Sequence, residues 1–130
     1  MKHLTRLSVP LALFVGILLS FGLLIPWLGF FWDDWPAVWF YHTLGPQGLR
    51  EAFTVDRPLL GWIFWVTARI GRESPFAWQT FALLTRWTSA LAFWALLRAL
   101  WPARRRLAAW AGLFFAVYPG FTQQPIAVTY

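Results

Sequence analysis

The chain has 130 residues, of which 59% are hydrophobic, 21% aromatic and 12% charged. A soluble domain carries about 25% charged residues, so this composition excludes an ordinary soluble fold and predicts an all-α integral membrane protein. The net charge of +6 would suit nucleic acid if the basic residues formed one exposed face; they are instead scattered among apolar runs and flank them, so nucleic acid is excluded as a partner and membrane orientation accounts for the excess.

Charge is distributed unevenly. All five acids (Asp33, Asp34, Glu51, Asp56, Glu73) fall within 33–73 alongside four arginines, giving that segment −1 and the remainder +7. An asymmetry of this size is an orientation signal. The chain has no cysteine, which removes disulfides, thiol nucleophiles and thiolate metal sites, and two separated histidines do not make a zinc site.

Lys2 and Arg6 precede 26 uncharged residues, 7–32, which as a helix rise about 39 Å, enough to cross a hydrocarbon core of about 30 Å with tilt. The competing reading is a cleavable signal peptide, whose apolar core is usually about 7–15 residues and ends in a small-x-small site. No such site precedes the acids, so the first segment is expected to be an uncleaved membrane helix with a cytoplasmic N-terminus, Pro10 in its first turns and a kink near Pro26.

At its end stands Phe31-Trp32-Asp33-Asp34-Trp35, within a collar of Trp27, Phe30, Phe31, Trp32, Trp35, Trp39, Phe40 and Tyr41. Amphipathic rings of this kind favour a membrane–water boundary. Pro36, Gly45-Pro46 and Pro58 then punctuate the chain, predicting two short interfacial helices in 37–53. The apolar stretch 59–68 rises only about 15 Å and is too short to cross.

Ser74-Pro75 reads as an N-cap and first helical residue, opening a helix that runs to Trp101 before Pro102. Arg104-Arg105-Arg106 follow, then an apolar run to Tyr118 and the break Pro119-Gly120. If 58–70 crossed, the triple arginine would emerge outside; if not, it lies inside with Lys2 and Arg6, as the positive-inside rule requires. The expected architecture is a single membrane domain, 1–130, with three crossings at 7–31, 75–101 and 104–119. An outer loop at 33–74 holds every acid, and 121–130 returns to the outer face.

Two readings of the Asp33-Asp34 pair stay open. One is capping of a short helix by Asp34, with Asp33 solvated. The other is chemistry: a base for an acceptor hydroxyl, or both acids on a divalent cation such as magnesium or manganese. Asp56-Arg57-Pro58 is either a cap with a snorkelling arginine or a guanidinium that forks two donors onto a phosphate. Arg86 lies near mid-helix beside Thr85, Thr88 and Ser89, where an arginine either snorkels or faces a partner or wet cavity. Trp87, Trp94 and Trp101 recur every seven residues and read as a packing face. His42 reads as an interfacial polar residue. Pro119-Gly120 ends a helix where freed backbone groups need burial, and Gln123-Gln124 carry no signal alone.

The first helix ending in Phe31–Trp35, the outer loop closing on Asp56-Arg57-Pro58-Leu59, and the later segments 83–102 and 111–121 resemble the start of a GT-C-type membrane glycosyltransferase. The resemblance implies transfer of a sugar from a polyprenyl-phosphate donor to a hydroxyl acceptor at the outer face. By it, Asp33 is the catalytic acid and Asp34 its partner; read as an enzyme in membrane lipid, the chain is expected to place Arg57 or Arg86 on the donor phosphate. The family has further crossings and a second acidic motif, whereas no acid follows Glu73. The chain is therefore expected to correspond to the N-terminal portion of such an enzyme, to partner its remainder, and to be inactive alone. The alternative is a non-enzymatic membrane subunit that packs its Trp-rich helices on a larger partner.

Overall fold

Prolines set most of the element boundaries. The structure, a computed structural model, describes residues 4–55, 57–118 and 127, except for the side chains of 4–7. It contains α1 (Leu4–Ile17), α2 (Asp34–Ala52), α3 (Pro58–Gly71), α4 (Pro75–Leu100) and α5 (Arg105–Ala116). Among the described residues there is no strand. Lys2, Asp56, Pro119-Gly120 and Gln123-Gln124 lie outside the described residues, as does the Arg6 side chain.

After Ile17 the first helix continues as a π turn, Leu18–Gly22, and a 3₁₀ turn, Ile25–Trp27. The irregularity begins before the expected kink at Pro26. Proline has no N–H for the Gly22 carbonyl and its ring crowds that turn, so the preceding residues unwind to other hydrogen-bond spacings. The expected helix to residue 31 accordingly ends at Trp27. In α2 the two short helices anticipated from Gly45-Pro46 are present as two stretches meeting at Gly45 (φ 68, ψ −170). Only glycine adopts that conformation without strain. α4 begins and ends within one residue of expectation, with the Ser74 hydroxyl accepting the Ala77 amide at 3.4 Å.

Two helical segments are long and apolar enough to cross a membrane, Ser8–Trp27 and Pro75–Leu100. Only 22% of the first and 17% of the second is buried within the protein, unlike the core helices of soluble proteins. α3 has 14 residues and rises about 21 Å, short of a core of about 30 Å. α5 has 12 residues and rises about 18 Å, so the expected third crossing, 104–119, is not a helix of spanning length within the described residues.

Contacts gather the described residues into two units rather than one body. The first holds the chain to Leu24 and from Leu83 to Tyr118. Here Ala108, Gly112 and Ala116 form a buried small-residue stripe on α5. A Cβ at Gly112 would stand 3.2 Å from Trp94 Cβ and 3.7 Å from Leu13, so the small residue sets how closely the helices meet. Trp87 donates its Nε1–H to the Pro10 carbonyl at 3.0 Å and meets Phe14 edge-on at 5.4 Å. The heptad tryptophans thus divide: Trp87 and Trp94 pack, and Trp101 is exposed.

The second unit holds Ile25–Ala82 with Ala127. Its core is Ala37, Leu49, Phe64, Ala68, Trp78 and Ala127. A Cβ at Gly61 would stand 2.9 Å from the Arg50 carbonyl, so α3 approaches the backbone of α2 there more closely than any side chain permits. Buried Trp78 donates Nε1–H to the Arg72 carbonyl at 2.9 Å, fixing the turn between α3 and α4.

Candidate functional site

A tight turn delivers the acid pair. The Phe31 carbonyl accepts the Asp34 amide at 3.0 Å, and the Trp32 carbonyl accepts that of Trp35 at 3.2 Å. Trp32 sits at φ 44, a left-handed conformation that costs a bulky residue about 1–3 kcal/mol and persists only where its surroundings enforce it. Asp33 follows at the N-cap position of α2, exposed and making no side-chain capping bond.

Asp34 is 0% exposed. Its Oδ2 accepts the backbone N–H of Phe31 at 3.2 Å and of Ala127 at 3.0 Å. The acid that sequence marks as the cap is therefore the structural one, but it reaches backward to the turn, and across 93 residues of chain to Ala127, instead of forward into α2. Amide donors and the positive end of the helix make this burial of a carboxylate tolerable. Around the turn, Trp27, Phe31, Trp32, Trp35 and Trp39 are all exposed, while Phe30 meets Trp35 edge-on at 5.9 Å.

This division decides what the pair can do. A divalent cation bridging both acids needs two accessible carboxylates, whereas only Asp33 faces outward and Asp34 Oδ2 already serves two amides. The pair does not fit a shared magnesium or manganese ion. Among the described residues no group of three or more His, Asp or Glu side chains is arranged to hold a metal. A single exposed carboxylate beside a helix N-terminus remains suited to accepting a proton from a hydroxyl.

Arg57 is exposed at the N-cap of α3, in the same unit as the acids, with its amide donated to the Phe53 carbonyl at 2.8 Å. Arg86 belongs to the other unit. Its Nε–H donates to the Ala116 carbonyl at 3.2 Å and its guanidinium stands 4.0 Å over the Phe21 ring. It thus satisfies a terminal carbonyl of α5, a favourable place for a cation. His42 Nδ1 lies 2.7 Å from Glu73 Oε1 in an exposed pair joining α2 to the turn after α3.

Sequence reasoning missed two arginines. The Arg50 guanidinium stands 3.8 Å over the Trp62 ring, and that of Arg69 stands 3.7 Å over Trp65. The second was accessible, because residues four apart share a helix face. The first joins different helices and leaves no local signal. No protein-family model, curated protein or solved structure matches this chain.

Proposed function

We propose that the chain is an integral membrane protein and the N-terminal part of a GT-C-like glycosyltransferase, with Asp33 as general base at the outer face. The supporting observation is the split acid pair: an exposed Asp33 without a capping bond, held beside a buried Asp34. An exposed carboxylate with no capping bond, one residue after Trp32 held at φ 44, is arranged for chemistry more than for stability. In the reaction Asp33 takes the proton of an acceptor hydroxyl, and the oxygen forms a bond to the anomeric carbon. The bond from that carbon to the lipid phosphate breaks, and the phosphate leaves with the electron pair. Arg57 offers two parallel donors to that phosphate. Arg86, engaged with Ala116 and Phe21, is better suited to holding α5. In this reading the N-terminus and the triple arginine are cytoplasmic and the loop 33–74 is outside. The third crossing of this reading is 104–119, which contains α5. The remainder of a larger membrane enzyme supplies the second acidic motif.

A non-enzymatic packing subunit is the second reading, favoured by the use of Arg86, Trp87 and Asp34 in internal contacts. Sugar transfer from a polyprenyl-phosphate donor separates the two, measured in lipid on the intact membrane enzyme or complex containing this chain. Asp33→Asn keeps size and hydrogen-bonding shape but loses basicity, so turnover falls about 10²–10⁴-fold. Undiminished transfer by a folded Asp33→Asn protein excludes the base, and absence of transfer by the unsubstituted protein favours the subunit.

A further inference from the structure

The faces of α3 are sorted in a way its length alone does not explain. Gly61, Phe64, Ala68 and Gly71 are buried against the second unit. On the opposite side Leu59, Trp62, Ile63, Val66 and Ile70 are all exposed, from 47% at Ile63 to 81% at Leu59. At 100° per residue these five cover an arc of about 100° with no polar member. One edge of the arc carries a continuous ridge: Arg50 over Trp62 at 3.8 Å, Trp62 edge-on to Trp65 at 5.8 Å, and Arg69 over Trp65 at 3.7 Å. α3 itself contains no acid.

The ridge runs along the helix rather than capping its end. Trp62 and Arg69 are separated by about 10 Å of rise. Were α3 upright in a bilayer, one cation would stand at headgroup level and the other about 10 Å into hydrocarbon, at heavy cost. With α3 lying in the membrane plane both stand at one depth. The apolar arc then faces the acyl chains, and tryptophans and guanidiniums align with the headgroups. Two guanidiniums at that level complement phosphate, and complement a surface of net negative charge best.

We propose that α3 lies flat in the bilayer surface and that Arg50 and Arg69 make this face a docking surface for anionic phospholipid. The inference rests on the reading that the chain is membrane-embedded, and its test separates the two. Because the chain lacks cysteine, single-cysteine variants Leu59→Cys, Ile63→Cys, Val66→Cys and Ile70→Cys can each carry an environment-sensitive fluorophore. Leu11→Cys in α1 reports on embedding. The full chain is reconstituted in phosphatidylcholine vesicles doped with lipids carrying quenchers near the headgroup or near the chain end. All four α3 positions are expected to share one shallow depth. At position 66, quencher-labelled phosphatidylglycerol is expected to outcompete quencher-labelled phosphatidylcholine by about fivefold for each arginine. An Arg50→Gln/Arg69→Gln variant loses that preference, and Arg50→Lys/Arg69→Lys retains it. Depths that increase steadily from 59 to 70 overturn the proposal, as does equal quenching by the two lipid classes. Quenching at 11 without quenching on α3 also overturns it, since water or another protein then covers the arc; no quenching at 11 removes the membrane reading itself. The depth and preference measurements need no arginine variant, so they decide the matter even if the Gln variant misfolds.

Discussion

Asp34 is the residue on which the site hangs. It is fully buried, and both hydrogen bonds resolved at Oδ2 come from backbone amides, one three residues back and one at Ala127. Removing the carboxylate strands those donors, at about 1–3 kcal/mol each. Asp34→Ala is therefore expected to lower the thermal unfolding midpoint in detergent clearly, while exposed, uncapping Asp33→Ala stays within about 0.5 kcal/mol of the unsubstituted protein. Equal stability of the two variants would contradict the division. The oddity of two adjacent acids among tryptophans was legible in the sequence, and so was the structural role of Asp34, the acid that stands nearer to Pro36. What was not legible is how Asp34 is held, because its partner at Ala127 lies 93 residues away and no local pattern encodes a contact of that range.

At the scale of elements, local chemistry predicted well wherever proline and glycine did the work. Ser74-Pro75 and Pro102 bracket α4, and Gly45-Pro46 divides α2, because these residues restrict backbone angles irrespective of tertiary context. The π turn at Leu18–Gly22 escaped, since Pro26 announces a disruption without saying how far upstream it spreads. The α2–α3 contact escaped for another reason: Gly61 reads as a helix-weakening glycine in sequence, and only the Arg50 carbonyl, 2.9 Å from where a Cβ would stand, shows that closeness is its purpose. Gly61→Ala gains helix propensity of about 1 kcal/mol but collides with backbone that cannot rotate away, an overpacking cost of typically about 1–3 kcal/mol. Net destabilisation is expected by thermal unfolding, accompanied by loss of the Arg50–Trp62 stacking from the tryptophan near-UV circular dichroism. A more stable Gly61→Ala protein would show that the contact relaxes freely.

For the whole molecule, two helices long and apolar enough to cross, with most of their surface outward, agree with a composition too poor in charge for water. The sidedness we propose rests on where charge collects: every acid lies within 33–73, and Arg104–Arg106 follow α4. Three crossings were read from apolar runs and the placement of positive charge, yet α5 has 12 residues and falls short of spanning length within the described residues. The claim under everything else is that the chain is threaded so that Asp33 stands in water on the outer side. Asp33→Cys and Arg105→Cys, introduced singly into a chain with no native cysteine, test it through an impermeant thiol reagent applied to intact cells. The account predicts that position 33 is labelled at once and position 105 only after permeabilisation; labelling of 105 in intact cells, or protection of 33, would contradict it.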